Sequence, residues 1–472
     1  MSDDTRQVYQ AVDLALRIGE VVLSSGAGAA DAYATVLAVT RACGLRSVHV
    51  DISFTTLLVS YQADPGEPPQ TYVRTITYRG LDYGLLSEVD HLVRGLADGT
   101  VDPDDAGRRI NEIRSAPKPY PRWAVSSATG LMAAGVGLLL QGSLLVVAIA
   151  FATSTLTDQA VRQLARRRIP AFYQQVAGAL VVTVVAHGLY LVEVPVRPSV
   201  IVASGIVVLL AGITLVGAVQ DALSGYYVTA SARTFEAILL TGGIIAGVSL
   251  GLTIGLQLGF ELPLTARASS GLSDLPLATI GGLLVSVGFA LSCYAPLRSV
   301  VPVAAVGLVA QAALVLLVTA GSGVAWSSAV AAVLVGVGSF SLAGRFRVPP
   351  LVVVVSGIVS LLPGLTIYRG LFQLLTEKDV TGFFPLLTAV SVGVGLASGV
   401  LLGEYIAQPL KREARRLENR LAGPRLVGPL RPPTRRERRE RRRRAAAKRA
   451  AERDAPRDPY AGTLDERDPA DA

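Results

Sequence analysis

Apolar positions recur along this chain in two different ways. Over the first 122 residues they are interleaved with charge, and a helical period runs from about Thr5 to Leu23, with Val8, Leu14, Ile18 and Val22 near one face. The period stops at SGAGAAD (25–31), where Gly26 or Gly28 can take the left-handed conformation that ends a helix. Asp31 then stands at the start of a second helix over about 32–43. Strand-like runs follow at 47–52, 55–61 and 71–78, separated by turn-forming residues. Two more helices close the region, the second opened by Asp102-Pro103, a cap followed by proline. Residues 1–122 therefore read as a small α/β domain.

Beyond KPYPRW (118–123), a basic and aromatic interface segment, the pattern changes to long apolar runs. Ten of them approach the ~20 residues that cross a ~30 Å hydrocarbon core. They lie near 123–140, 143–160, 172–191, 199–219, 235–257, 275–294, 300–319, 324–342, 351–369 and 384–405. Lipid offers no partner for exposed backbone groups, so the spans should be helices. The division is 1–122, a five-helix module at 123–258, an extracytoplasmic linker at 259–274, a second module at 275–408, and a basic, largely disordered tail at 409–472.

Composition agrees with the pattern. The chain is 51% hydrophobic and only 17% charged, too little charge to cover a water-facing surface of this size. The opening residues are acidic and amphipathic rather than basic then apolar, so the amino terminus is expected to stay in the cytoplasm. Inner connections would then hold Arg162, Arg166, Arg167, Arg168, Arg233, Arg298, Arg345 and Arg347. Outer ones would hold only Arg197, Arg267, Arg369 and Lys378. That asymmetry places both termini of a multi-pass protein on the cytoplasmic side of the cell membrane. The run RRERRERRRRAAAKR (435–449) reads as an anchor for anionic lipid. Nucleic acid is not expected, because no folded reader accompanies the run.

An internal repeat is the strongest signal. PSVIVASGIVVLLAGIT (198–214) and PLVVVVSGIVSLLPGLT (350–366) match without gaps at 11 of 17 positions, including Ser204/Ser356, Gly205/Gly357, Gly212/Gly364 and Thr214/Thr366. The same offset carries Gly247, Val248, Leu250 and Gly251 onto Gly399, Val400, Leu402 and Gly403. Five spans is an odd number, so a duplicated half must sit inverted relative to the first, the arrangement of many secondary transporters. Substrate sites in such folds lie where helices break near the midplane. Pro363-Gly364 should interrupt the ninth span, and Ala211-Gly212 should interrupt the fourth more weakly. Ser204, Gly205, Gly212, Thr214, Ser356, Gly357, Pro363, Gly364 and Thr366 are thus candidate substrate-binding residues. The same small residues would also serve plain helix packing.

Ionisable residues in or beside spans are costly and so are candidates for coupling or gating: Asp221, Arg233, Glu236 and Arg369. Asp158, Glu193 and His187 lie near other helix ends, and Asp221 with Arg233 can equally form a structural ion pair. Cys43 and Cys293 are far apart, as are His49, His91 and His187, so no metal or cofactor is expected. GAGAAD follows a helix rather than a strand and carries no phosphate-loop pattern, which argues against an enzyme. A passive channel is disfavoured by the absence of charge-lined spans.

SGAGAADAYATVLAVTRACGL (25–45), LARRRIPAF (164–172), VQDALSGYYVTASAR (219–233) and SGIVSLLPGLTIYRGL (356–371) together resemble the threonine/serine exporter family, in the form that fuses both modules. The resemblance spans residues 5 to 410 and implies export of threonine and serine driven by the proton motive force. It places Gly26, Gly28 and Asp31, then Asp221, Gly225 and Arg233, in motifs of the first module, and Pro363, Gly364 and Arg369 in those of the second. Ala211 departs from it, since the family often has proline there. Expected partners are small polar amino acids, protons, membrane lipid and, in a homo-oligomer, further copies of the chain. A small dicarboxylate is the alternative substrate, and a membrane-anchored enzyme the alternative class.

Overall fold

The computed structural model describes residues 3–64, 66–77, 79–209, 212–257, 272–374 and 379–414. Ala211, most of the 259–274 linker and the basic run at 435–449 lie outside them. Helix α1 (Asp3–Ser24) buries Leu14, Ile18 and Val22 and ends where Gly26 takes φ +99°. Helix α2 is Ala29–Ala42. It starts three residues before the expected position, so Asp31 lies buried in its first turn and is not its cap. Strands β1 (Val48–Ile52), β2 (Thr56–Tyr61) and β3 (Gln70–Thr75) form an antiparallel sheet in that order, with Val50 opposite Val59 and Val59 opposite Tyr72. Leu57 and Val59 alternate into the core, as period-two patterning requires. Helix α3 (Tyr83–Asp98) is capped by Asp82, and α4 (Pro103–Ser115) by Asp102 with Pro103 in its first turn.

These elements pack directly onto the apolar helices. The Tyr83 amide donates to the Cys293 carbonyl at 2.8 Å, the Tyr120 hydroxyl to the Ala295 carbonyl at 2.6 Å, and Arg298 meets His91 Nε2 at 2.8 Å.

The apolar region comprises α5 (Arg122–Leu139), α6 (Leu144–Arg166), α7 (Ala171–Leu191), α8 (Pro198–Leu209), α9 (Gly212–Leu223), α10 (Tyr227–Gln257), α11 (Leu275–Ser292), α12 (Val300–Thr319), α13 (Val324–Phe346), α14 (Pro350–Ile358), α15 (Gly364–Phe372) and α16 (Phe383–Ala414). Among the described residues seven helices are long and apolar enough to cross a membrane, and nine spans result if α8/α9 and α14/α15 each count as one bent span. Helix α5, the expected first span, is not among the nine. It opens with Arg122 and carries Ser126, Ser127 and Thr129, which dilute its apolar character. It nonetheless packs between α6 and α11. Side chains such as Leu156, Val184, Phe235, Leu334 and Leu402 face outward and exposed, as a surface solvated by lipid allows.

Glycine governs how closely these helices approach. A Cβ on Gly243, Gly247 or Gly251 would meet Phe172 O at 2.8 Å, Val176 O at 2.2 Å or Thr183 Cβ at 2.7 Å. Residue numbers rise together, so α7 and α10 run parallel. One repeat later, a Cβ on Gly395, Gly399 or Gly403 would meet Ala325 O, Ala329 O or Val333 O at 2.9, 2.4 or 2.5 Å, and α13 runs parallel to α16. The repeated glycines are therefore packing residues. Between α5 and α11 the sense is opposite. A Cβ on Gly135 would meet Gly281 O, and one on Gly288 would meet Ala128 O, both at 2.7 Å, so the helices that open the two apolar halves run antiparallel. The second segment of each bent pair packs across the halves, α9 on α16 and α15 on α10.

Candidate functional site

A cavity of about 740 Å³ runs through the middle of this bundle. Both helix breaks open into it. The first pair bends by 43° between Leu209 and Gly212, the second by 46° between Leu361 and Gly364. Residues 210 and 211, where the first pair parts, lie outside the described residues. In the second, Val359–Leu361 tightens into a 3-10 turn, Leu362 is extended (φ −62°, ψ 136°), and Pro363 supplies no amide to continue the ladder. The breaks face each other: a Cβ on Gly212 would lie 3.2 Å from Leu362 Cβ.

Of the expected substrate-binding residues, Gly205, Gly212, Thr214, Pro363, Gly364 and Thr366 line the cavity. Ser204 is fully buried, and its hydroxyl donates back to the Val200 and Ile201 carbonyls of its own helix at 2.8 and 3.1 Å. Ser356 is also fully buried away from the lining, and Gly357 lets Val306 of α12 come close.

Arg79, Asp158, Arg162, Arg233 and Glu236, with Gly26 and Gly28, line the cavity. Behind them the buried pair Asp221–Arg233 closes at 2.9 Å between Oδ2 and Nη1. Asp221 Oδ1 accepts from the Ala29 amide at 2.9 Å, so this carboxylate of α9 supplies the N-terminal cap that α2 lacks locally. Arg233 Nη2 donates to the Ala27 carbonyl at 3.1 Å. Gly28 is needed for that closeness, since a Cβ there would stand 3.3 Å from Asp221 Oδ1. The two motifs singled out in the sequence, SGAGAAD and VQDALSGYYVTASAR, are one contact. Asp158 is held separately, by Arg162 Nε at 2.8 Å and the Ser126 hydroxyl at 2.7 Å. Arg369 is exposed outside the cavity lining.

Arg79 was not anticipated. Its guanidinium lies 4.2 Å over the Phe54 ring and donates to the Phe54 carbonyl. Burial, with the neighbouring Arg233 charge, lowers it to about 10. An arginine beside a glycine in a loop gives no local sign of such a position. Among the described residues no group of three or more His, Cys, Asp or Glu is placed to hold a metal ion.

Two family models, both described as threonine/serine exporter, match residues 13–255 and 278–406. This chain belongs to the threonine/serine exporter family. The probable threonine/serine exporter of Mycobacterium tuberculosis is 37% identical over 430 residues, covering 89% of this chain and 81% of the relative. The threonine/serine exporter of Corynebacterium glutamicum is 37% identical over 418 residues, covering 87% and 85%. A probable succinate transporter subunit of Escherichia coli is 30% identical over 248 residues, 52% of this chain and 94% of that subunit. No solved structure matches the chain.

Proposed function

We propose that this protein exports threonine and serine from the cytoplasm by alternating access, driven by the proton motive force. The observation that carries the proposal is the meeting of the two helix breaks, Gly212 against Leu362, inside one cavity. The amino ends of α9 and α15 (Gly212–Thr214 and Gly364–Thr366) line it, and so do the carboxyl end of α8 and the turn after α14. Helix amino ends carry partial positive charge and carboxyl ends partial negative charge. An amino acid's carboxylate and ammonium thus find opposite partners at one place.

Alternating access is supported by the antiparallel pairing of α5 with α11 and by the matching parallel pairs α7/α10 and α13/α16. These relationships fit two inverted five-helix halves, with α5 as the tenth span. The amino-terminal elements contact the connections around Ala27–Arg233 and Cys293–Arg298, all read as cytoplasmic. Glu236, in the cavity lining, and Asp221, just behind it, are the carboxylates best placed to take up a coupling proton.

The deciding experiment is counterflow of labelled threonine in proteoliposomes, with and without a proton gradient. Exchange that the gradient accelerates is expected, and absence of threonine exchange refutes the reading. A second reading, export of a small dicarboxylate, is favoured by the succinate-transporter relative and by three arginines in the cavity lining, Arg79, Arg162 and Arg233. A labelled succinate arm in the same assay separates the two.

A further inference from the structure

Helices α6 and α12 present the same stripe to the cavity. On α6 it is Ser154, Thr157, Asp158, Val161 and Arg162; on α12 it is Gln311, Leu314, Val315, Val318 and Thr319. Both stripes follow the i, i+3, i+4, i+7, i+8 spacing of one helix face. The α6 wall is polar except at Val161, whereas the α12 wall is apolar except at Gln311 and its far end.

Gln311 is 6% exposed, and no protein group pairs with its buried side-chain carbonyl oxygen among the described residues. A buried carbonyl oxygen without a donor is disfavoured, so its retention asks for a ligand. Its stem is fixed as well. Gly282 of α11 has no side chain, and a Cβ there would come within 2.5 Å of Gln311 Cβ and 2.8 Å of Cγ, so the stem lies flat against α11. The 3-10 turn Val359–Leu361, next to the second break, packs on both α11 and α12. Ser154, the first residue of the α6 stripe, is 2% exposed and its hydroxyl is likewise unpartnered.

We propose that Gln311 recognises the side-chain hydroxyl of the transported amino acid. The inference rests on the amino-acid export reading above. The helix ends engage the carboxylate and ammonium that all amino acids share, so they cannot tell threonine from valine, which has the same shape without a hydroxyl. An amide can donate to and accept from that hydroxyl. With valine bound it would stay unpaired in an apolar wall, and sites built this way reject the analogue lacking the hydroxyl strongly.

The test is counterflow of labelled threonine, serine and valine by the full-length protein in proteoliposomes. The unaltered protein should prefer threonine and serine over valine. Gln311→Met, close in volume but apolar, should lower the threonine-to-valine ratio by roughly tenfold or more, with valine exchange kept or raised. Gln311→Asn withdraws the amide by one methylene, and should shift the ratio the same way by less; it serves as the readout should the methionine variant fail to insert. An unchanged ratio in whichever variant inserts overturns the role of Gln311. No exchange of any amino acid by the unaltered protein overturns the export reading instead.

Discussion

Asp221 accepts a hydrogen bond from the Ala29 amide at 2.9 Å, across 192 residues of sequence, while its other oxygen holds Arg233. One carboxylate thus caps a helix of the amino-terminal region and neutralises a cation in the cavity lining.

Removing one partner of such a pair leaves a buried charge, at a cost of about 3–5 kcal/mol. Arg233→Met should therefore lower the melting temperature of the detergent-purified protein sharply, and Asp221→Asn likewise. The double variant should recover part of the loss, as a double-mutant cycle of thermal melts would show. Purely additive losses would mean that the pair is not coupled. In transport, Asp221→Asn should abolish dependence on the proton gradient if Asp221 carries the proton; a retained dependence assigns that role elsewhere, with Glu236 next.

The second break should matter for turnover rather than for folding. Pro363→Ala restores a backbone donor and relieves the clash that parts α14 from α15. We expect unchanged or higher thermal stability with slower threonine counterflow. Unchanged transport would show that the break does not depend on the proline.

Thr366 lines the cavity in the first turn of α15. Thr366→Val keeps its shape and removes the hydroxyl, so transport should fall several-fold while the yield of membrane-inserted protein holds. Equal transport would take the hydroxyl out of the site.

Much of this arrangement was legible in the sequence. The matched segments at 198–214 and 350–366 pointed to the breaks that the structure brings face to face, and Asp102-Pro103 marked the start of α4 to the residue. Period and caps are local signals, and local structure obeyed them. What stayed hidden was set by contacts between distant segments. The start of α2 is fixed by a carboxylate of α9, so reading Asp31 as its opening residue put the helix three residues late. The hydroxyl of Ser204, attractive as a paired motif residue, bonds to its own helix. Gln311 is one polar residue in an apolar helix, and only Gly282 and the cavity, both distant in sequence or set by packing, give it its surroundings.

The amino-terminal region offers a pH test. Burial raises the Asp90 carboxyl, against the opposing pull of Arg94, which pairs with it at 2.6 Å. A carboxyl raised above its unfolded value binds its proton more readily in the folded state. Its contribution to stability therefore falls as pH rises from the unfolded value, near 3.8, through the raised folded value, and returns on acidification. The melting temperature of the unaltered protein, minus that of Asp90→Asn, should be larger at pH 5 than at pH 7.5. A difference that shrinks on acidification contradicts the assignment.

The glycine contacts should prove structural. A side chain at Gly399 would meet the Ala329 carbonyl at 2.4 Å, and one at Gly247 the Val176 carbonyl at 2.2 Å. Gly399→Val or Gly247→Val should cost at least about 2 kcal/mol and reduce the recovered folded protein, by size-exclusion chromatography. Full recovery with impaired transport would instead implicate these residues in the cycle itself.

Those same contacts limit how the molecule can rearrange. Backbone lies on backbone along several turns of α7 with α10 and of α13 with α16, leaving no slack for one helix to slide past its neighbour. Each couple behaves as a stiff plate. On the proposed transport cycle, shape change would fall to the kinked segments, which reach from one plate toward the other, so the joints would be where the proposed cargo sits.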